Sequence, residues 1–269
     1  SRSEVLPPLE PGGFEGPLAD RRMAQAARER VEEAFWRLWR ESQAAPGWAE
    51  PLARAYRLLG ATVGHYAASK LRRDPVLAAL PELCPGEGKV LQLGCGLGLA
   101  SARLALYDPR RTIRGLDHDP RKVALARAAL GETTGARFEL GDAFTAPLGR
   151  PEVVLLIDVL HYWPYEEQDR LLARCAEALP AGGRLVLREG TLDAPGHRWV
   201  AWGERLALSL GFTRGGAGLF FDTEEGLRAR VRRAGFAVRS AHPELGLGSN
   251  TVLVCERVAR AEFAAGGSP

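Results

Sequence analysis

Apolar positions along this chain repeat with two different periods, and the change falls near residue 86. Residues 18–42 carry Met23, Ala27, Val31, Ala34, Phe35, Leu38 and Trp39 at three- and four-residue spacing, with Arg and Glu between them. That spacing predicts an amphipathic helix. Ala45-Pro46-Gly47 breaks it. A second helical stretch is predicted over 51–72 from Leu52, Ala55, Tyr56, Leu59, Val63 and Tyr66, and Asp74-Pro75 ends or restarts it. After Pro85-Gly86, short apolar runs at 89–93, 113–116, 136–140, 153–157 and 184–188 read as strands. Helical patterns at 99–106, 120–130 and 166–179 separate most of them. Repeated βα units predict an α/β fold, a doubly wound and mainly parallel sheet with helices on both faces. Two late strands, 237–241 and 251–256, follow a helix at 224–234 with too little chain for a crossover. The seven-stranded sheet is therefore expected to close with an antiparallel C-terminal strand, and the chain to carry an N-terminal helical extension.

Composition narrows the function classes. The 269 residues are 46% hydrophobic, enough for one large α/β domain and an appendage, and the net charge of +3 gives no case for nucleic acid from charge alone. Cys84, Cys95, Cys175 and Cys255 are widely spaced with no C-x-x-C pair, which argues against a zinc cage or a disulfide framework. No metal is expected. No run is apolar and long enough to span a membrane, and the chain is read as a cytoplasmic protein without a secretory leader. The Pro- and Gly-rich opening 1–17 is expected to lack regular structure.

Ligands of doubly wound sheets bind at the carboxyl ends of the strands, so the residues after each strand carry the chemical signal. The first strand runs into Gly94-Cys95-Gly96-Leu97-Gly98, a turn that brings backbone N–H groups to a ligand at a helix N-terminus. Asp117 ends the second, with His118 after it, and can accept from both hydroxyls of a ribose. The third is followed by Gly141-Asp142-Ala143-Phe144: Asp142 can accept from an exocyclic amine and Phe144 can pack on a base. After the fourth come Asp158 and then His161-Tyr162-Trp163, and the fifth ends in Arg188-Glu189. Alternative roles stand beside these. Asp117 or Asp119 can cap the helix at Pro120. His161 can be an ordinary loop histidine, and Glu189 a structural acid paired with Arg188 or Arg184. Trp36-Arg37-Leu38-Trp39-Arg40 suits either a membrane surface or a core-packed face. The run Arg228, Arg230, Arg232, Arg233 reads first as a solvated face.

Residues 83–258 resemble the class I S-adenosylmethionine-dependent methyltransferases. The resemblance rests on the glycine turn, Asp117, Asp142, Leu179-Pro180-Ala181-Gly182-Gly183-Arg184-Leu185 before the fifth strand, and Ala234-Gly235-Phe236 before the sixth. It implies a Rossmann-like fold and S-adenosyl-L-methionine as cofactor. Gly94, Cys95, Gly96, Gly98, Asp117, His118, Asp142, Ala143, Phe144 and Asp158 are its expected contacts. Gln92 departs from the acid usual at that position. Asp158-Val159-Leu160-His161-Tyr162-Trp163 and Gly141-Asp142-Ala143-Phe144 are further similar to motifs of the plant and hydroxyindole type O-methyltransferases. That likeness implies His161 as the general base for a hydroxyl and Glu189 as the acid beside it. A second acid of that family lies two residues before a threonine; here Phe221 occupies that place before Thr223, and Asp222 is displaced by one. Tyr162 replaces the motif aspartate.

The reading that follows is a methyltransferase for a small hydrophobic or aromatic molecule, acting on oxygen, with Tyr66, Tyr162, Trp163 and Phe221 lining the acceptor pocket. Residues 1–80 are expected to form a helical lid that shapes this pocket, 81–258 the cofactor-binding domain and 259–269 a tail. N- or C-methylation and a non-catalytic binding module are the competing readings, with RNA methylation behind them. No nucleic-acid partner and no stable membrane insertion are expected, and a homodimer is left open.

Overall fold

The computed structural model describes residues 47–86, 88–130, 135–194, 218–246 and 250–259. The helix expected over 18–42, with its Trp36–Arg40 run, the opening 1–17 and residues 260–269 lie outside the described residues. Among the described residues three helices lead, α1 (Ala49–Arg57), α2 (Ala61–Arg73) and α3 (Pro75–Leu83). The single helix expected over 51–72 is thus two. Gly60, at φ 119°, takes a conformation closed to most side chains and ends the first before the second starts. Asp74 restarts the chain as an N-cap: its carboxylate accepts from Val76 N at 3.2 Å, and Pro75 occupies the first helical position.

From Val90 onward the chain alternates as expected: β1 (Val90–Leu93), α4 (Leu99–Tyr107), β2 (Ile113–Asp117), α5 (Pro120–Leu130), β3 (Ala136–Leu140), β4 (Val153–Ile157), α6 (Tyr165–Ala178), β5 (Arg184–Gly190), α7 (Glu224–Arg233), β6 (Phe236–Ala241) and β7 (Asn250–Arg257). The seven strands lie in the order β3-β2-β1-β4-β5-β7-β6. The five-strand block is parallel, and β7 pairs antiparallel with both β5 and β6. Alternate side chains divide the core between two faces. Val90, Val153, Leu155, Val186 and Val252 pack with residues of α1–α5. Leu91, Leu93, Val154, Leu156, Leu185 and Leu187 pack with α6 and α7. Covering both faces makes the central strands continuous apolar runs, which is why they were legible as strands. The order reverses between β1 and β4, so the loops after these two strands diverge and leave a crevice.

Candidate active site

The glycine turn is shaped by what cannot be added to it. Gly94, Gly96 and Gly98 all have positive φ, at 66°, 53° and 77°. A Cβ on Gly94 would lie 2.6 Å from Val159, and one on Gly98 2.5 Å from the Phe138 ring. At Gly96 nothing lies within 4 Å of that position, so here the turn opens to free space. Asp117, at the end of β2, closes the turn's other side. Its Oδ2 accepts from Gly96 N at 2.7 Å and its Oδ1 from Asp119 N at 2.9 Å. The cap of α5 is Asp119, which accepts from Arg121 N at 2.9 Å. Cys95 is buried with its thiol held neutral by burial, and His118 is half-exposed with Nδ1 3.7 Å from Asp117 Oδ1.

Gln92 lies directly below. Its Oε1 accepts from Ser101 N at 3.1 Å and from Ser101 Oγ at 2.6 Å, pinning the start of α4 to β1. From the N-terminal side, buried Tyr56 of α1 donates to Leu97 O at 2.5 Å, and burial raises its phenol pKa, keeping the donor protonated. Tyr56 was read from the sequence only as an apolar helix position, since its spacing carries no sign of a partner in the glycine turn.

After β3, Asp142 Oδ1 accepts from Phe144 N at 2.7 Å, which bends the loop and leaves Asp142 exposed. Phe144 is partly buried. Arg170 covers one face of the ring, 4.7 Å from its centroid, and Trp163 meets it edge-on at 5.2 Å.

The turn after β4 carries the most chemistry. Asp158 has φ 56°, and a short 3-10 turn, Leu160–Tyr162, follows. Buried Glu189, from β5, satisfies three donors of this turn. Its Oε1 accepts from Val159 N at 2.7 Å and Leu160 N at 2.6 Å, and its Oε2 lies 2.6 Å from His161 Nδ1. Glu189 therefore pairs with neither Arg188 nor Arg184; Arg184 donates instead to Leu83 O at 2.9 Å. A carboxylate on Nδ1 keeps the proton there and the lone pair on Nε2. The imidazole is 3% exposed and stacked on Phe221 at 4.8 Å with 15° between the planes; Tyr162 tilts against it at 4.2 Å. Phe221 holds the place where the second acid was expected. Asp222 points elsewhere, with Oδ2 accepting from Arg230 Nε at 2.8 Å. Buried Gln168 secures the surrounding loops by donating to Trp163 O at 2.9 Å and Phe220 O at 2.8 Å, a role its helical position did not signal.

Asp158 is tied into the protein by neighbouring side chains. Its carboxylate accepts from Arg188 through Nε at 2.9 Å and through Nη2, and from Asn250 Nδ2 at 3.1 Å, with Lys70 Nζ at 3.9 Å. Burial alone would raise its pKa, but Arg188 and Lys70 hold it below the ordinary value. Three protein donors thus reach a carboxylate that stays a quarter exposed, at 25%. Tyr66, expected at the acceptor pocket, is 52% exposed on α2, one turn before Lys70. The basic run on α7 is neutralised where it stands: Arg228 pairs with Glu224, Arg230 with Asp222 and Asp169, Arg232 with Glu225 and Arg233 with Asp169. No described helix is long and apolar enough to cross a membrane.

These loops fit a nucleoside-bearing ligand. A side-chain-free turn opens at Gly96, and acidic acceptors stand at the end of β2, Asp117, and in the loop after β3, Asp142. Residues 64–226 match the family model of the O-methyltransferase domain. Trans-aconitate 2-methyltransferase of Streptomyces avermitilis is 32% identical over 146 residues, covering 50% of this chain and 54% of that protein. Flavonoid 4'-O-methyltransferase 4 of Mentha piperita is 30% identical over 138 residues, covering 49% of this chain and 38% of that protein. The chain spans about half or less of the length of these curated relatives. Among solved structures, mitomycin 7-O-methyltransferase superposes with a TM-score of 0.57 at 21% identity, over 80% of this chain and 70% of that one. An O-methyltransferase family 2 protein from Planctomyces limnophilus does so with 0.57 at 21%, over 77% and 62%. At such identities the superpositions speak for the fold alone. The chain belongs to the O-methyltransferase domain family, and its fold is that of the class I S-adenosylmethionine-dependent methyltransferases.

Proposed function

We propose that this protein methylates a hydroxyl of a small aromatic molecule, with S-adenosylmethionine as donor and His161 as general base. The observation that carries the reading is the buried His161–Glu189 pair, 2.6 Å apart, in the loop facing the glycine turn across the switch point. When bound, S-adenosylmethionine supplies an electrophilic methyl group on its sulfonium. The chain's residues do the rest. Gly94, Cys95, Gly96 and Gly98 admit the donor's backbone-facing edge, Asp117 with His118 takes the ribose hydroxyls, and Asp142 with the Ala143 N–H takes the base. His161 Nε2 accepts the acceptor's hydroxyl proton as its oxygen attacks. A phenol has a pKa of about 10, so a nearby base raises the reactive fraction at neutral pH. Glu189 then faces the imidazolium and balances its charge. Tyr66, Tyr162, Trp163 and Phe221 offer aromatic surface for an apolar acceptor and help exclude water.

The likeness to flavonoid O-methyltransferases supports an aromatic acceptor. A likeness to the N,N-dimethyltransferase OxyT of Streptomyces rimosus, 32% identical over 160 residues, supports nitrogen as the second candidate atom. The test is incubation with methyl-deuterated S-adenosylmethionine and a panel of flavones, simple phenols, aromatic amines and carboxylic acids, read by mass spectrometry. An O-methyl ether on a phenol is expected. Label found only on nitrogen, carbon or a carboxylate overturns the reading.

A further inference from the structure

The carboxyl end of β5 places two buried ionic side chains next to each other, and both grip the same turn. Consecutive strand residues point to opposite faces. Glu189 takes Val159 N, Leu160 N and His161 from one side. Arg188, 2% exposed, takes the residue before them from the other: Nε and Nη2 hold the two oxygens of Asp158, and Nη1 donates to Asp74 Oδ1 at 2.6 Å. Lys70 completes the group, 3.4 Å from Asp74 and 3.9 Å from Asp158. Two cations and two carboxylates leave no net charge. Asp158 is also the one non-glycine with positive φ among the described residues. Asp and Asn tolerate that region better than other side chains, and a residue held there by its surroundings marks an over-determined turn.

We propose that Arg188 is a positioning residue. Through a two-pronged hold on Asp158 it fixes the left-handed start of the turn, and so the direction in which His161 leaves β4. Lys70 ties helix α2 to the same carboxylate, so the packing of that helix and the aim of the imidazole depend on one ion cluster. A network kept only for stability is a weaker account, because a buried ion pair is often no more stabilising than apolar packing of equal volume. The catalytic consequence rests on the reading of His161 as base; the geometric claim does not.

The experiment uses the whole chain with ¹⁵N-labelled histidine. The His161 Nδ1 proton is assigned by its loss in His161→Gln, and S-adenosylhomocysteine affinity is measured by calorimetry on the same samples. Asp158→Asn, which tolerates the backbone conformation and keeps one acceptor for Arg188, should retain the proton signal. Asp158→Gly relieves the backbone yet loses the hold, and its Nδ1 proton should exchange with water at least tenfold faster. Arg188→Lys should behave likewise, and Asp158→Ala should lose the signal. All four should bind S-adenosylhomocysteine within threefold of the parent. Should Asp158→Ala fail to fold with a surplus positive charge, the neutral pair Asp158→Ala with Lys70→Met takes its place with the same expectation. A wild-type Nδ1 signal in the alanine variant overturns the proposal. So does a tenfold or greater loss of S-adenosylhomocysteine affinity with the signal intact, which would return Asp158 to the cofactor. Loss of turnover in His161→Ala with no change in these spectra would uphold the base and overturn the clamp; the reverse would do the opposite.

Discussion

The glycine turn after β1 and the histidine turn after β4 flank the same crevice, yet they are held in place by different means. The first is held by exclusion: Gly94 has Val159 against it, Gly98 has Phe138, and positive φ disfavours a side chain at all three glycines, Gly96 alone of them having open space beside it. The second is held by charge: Glu189 gathers three donors and Arg188 grips Asp158. Val159 belongs to both, since its side chain blocks a Cβ on Gly94 and its N–H goes to Glu189. The glycine turn should therefore fail when atoms are added, and the histidine turn when a charge is taken away.

The largest break in that contrast should come from Gly98→Val. It meets both a φ of 77° and the Phe138 ring at 2.5 Å. Strain and overpacking at about 1–3 kcal/mol each predict a loss of about 2–6 kcal/mol in stability, seen in denaturant melts, and S-adenosylhomocysteine binding weakened beyond 100-fold by calorimetry. Gly96→Ala has an unfavourable φ but free space, so only the strain of about 1 kcal/mol should appear, near a fivefold loss of affinity. Equal effects at the two glycines would sink the exclusion argument. Glu189→Gln sharpens the other side. It should lower turnover about 10–100-fold with cofactor affinity little changed, because the charge facing the imidazolium is lost and the amide NH2 replaces the oxygen that holds the Nδ1 proton. Tyr56→Phe removes one hydrogen bond to Leu97 O and should cost about 0.5–1.5 kcal/mol, visible as a lower denaturation midpoint.

The ion cluster also sets a pH window. The folded pKa of Asp158 lies below its ordinary value, so its stabilisation is complete above the usual carboxylate range and is lost as pH falls through the folded value. Lys70 is the mirror case. Burial, the largest single influence, lowers its pKa, but Asp158, Tyr66 and Asp74 together outweigh that and raise it, so its share is lost only as pH rises past the usual lysine range. Denaturant midpoints should be flat between these limits and fall on the acid side, with a shallower acid limb in Asp158→Asn.

Much of this fold could be read in advance, because it depends on local pattern. Apolar runs buried on both faces showed the central strands β1, β4 and β5, and the glycines, Asp117 and Asp142 announced themselves by standing at or after strand ends. The His161–Glu189 contact was legible only through resemblance, since 28 residues separate the partners. What was missed is what local pattern cannot carry. Arg188 reaches Asp74 across 114 residues, and Tyr56 reaches Leu97 across 41. Neither pairing leaves a mark in the period of its own element. Gly60 was visible in the sequence, but one glycine in a helical pattern reads as tolerated until its φ is known. Phe221 was noted as a missing acid; that it stacks on His161 follows from the docking of residues 218–223 onto the histidine turn, where Phe220 N donates to His161 O at 2.7 Å.

The central claim is that the two ends of the crevice divide the work, one holding the donor and the other taking the acceptor's proton. The most direct measurement pairs methyl transfer to a phenolic acceptor with S-adenosylhomocysteine affinity in His161→Ala. The account predicts turnover reduced about 10²–10⁴-fold with affinity within threefold of the parent. Turnover left intact, or affinity and turnover lost together, would contradict it.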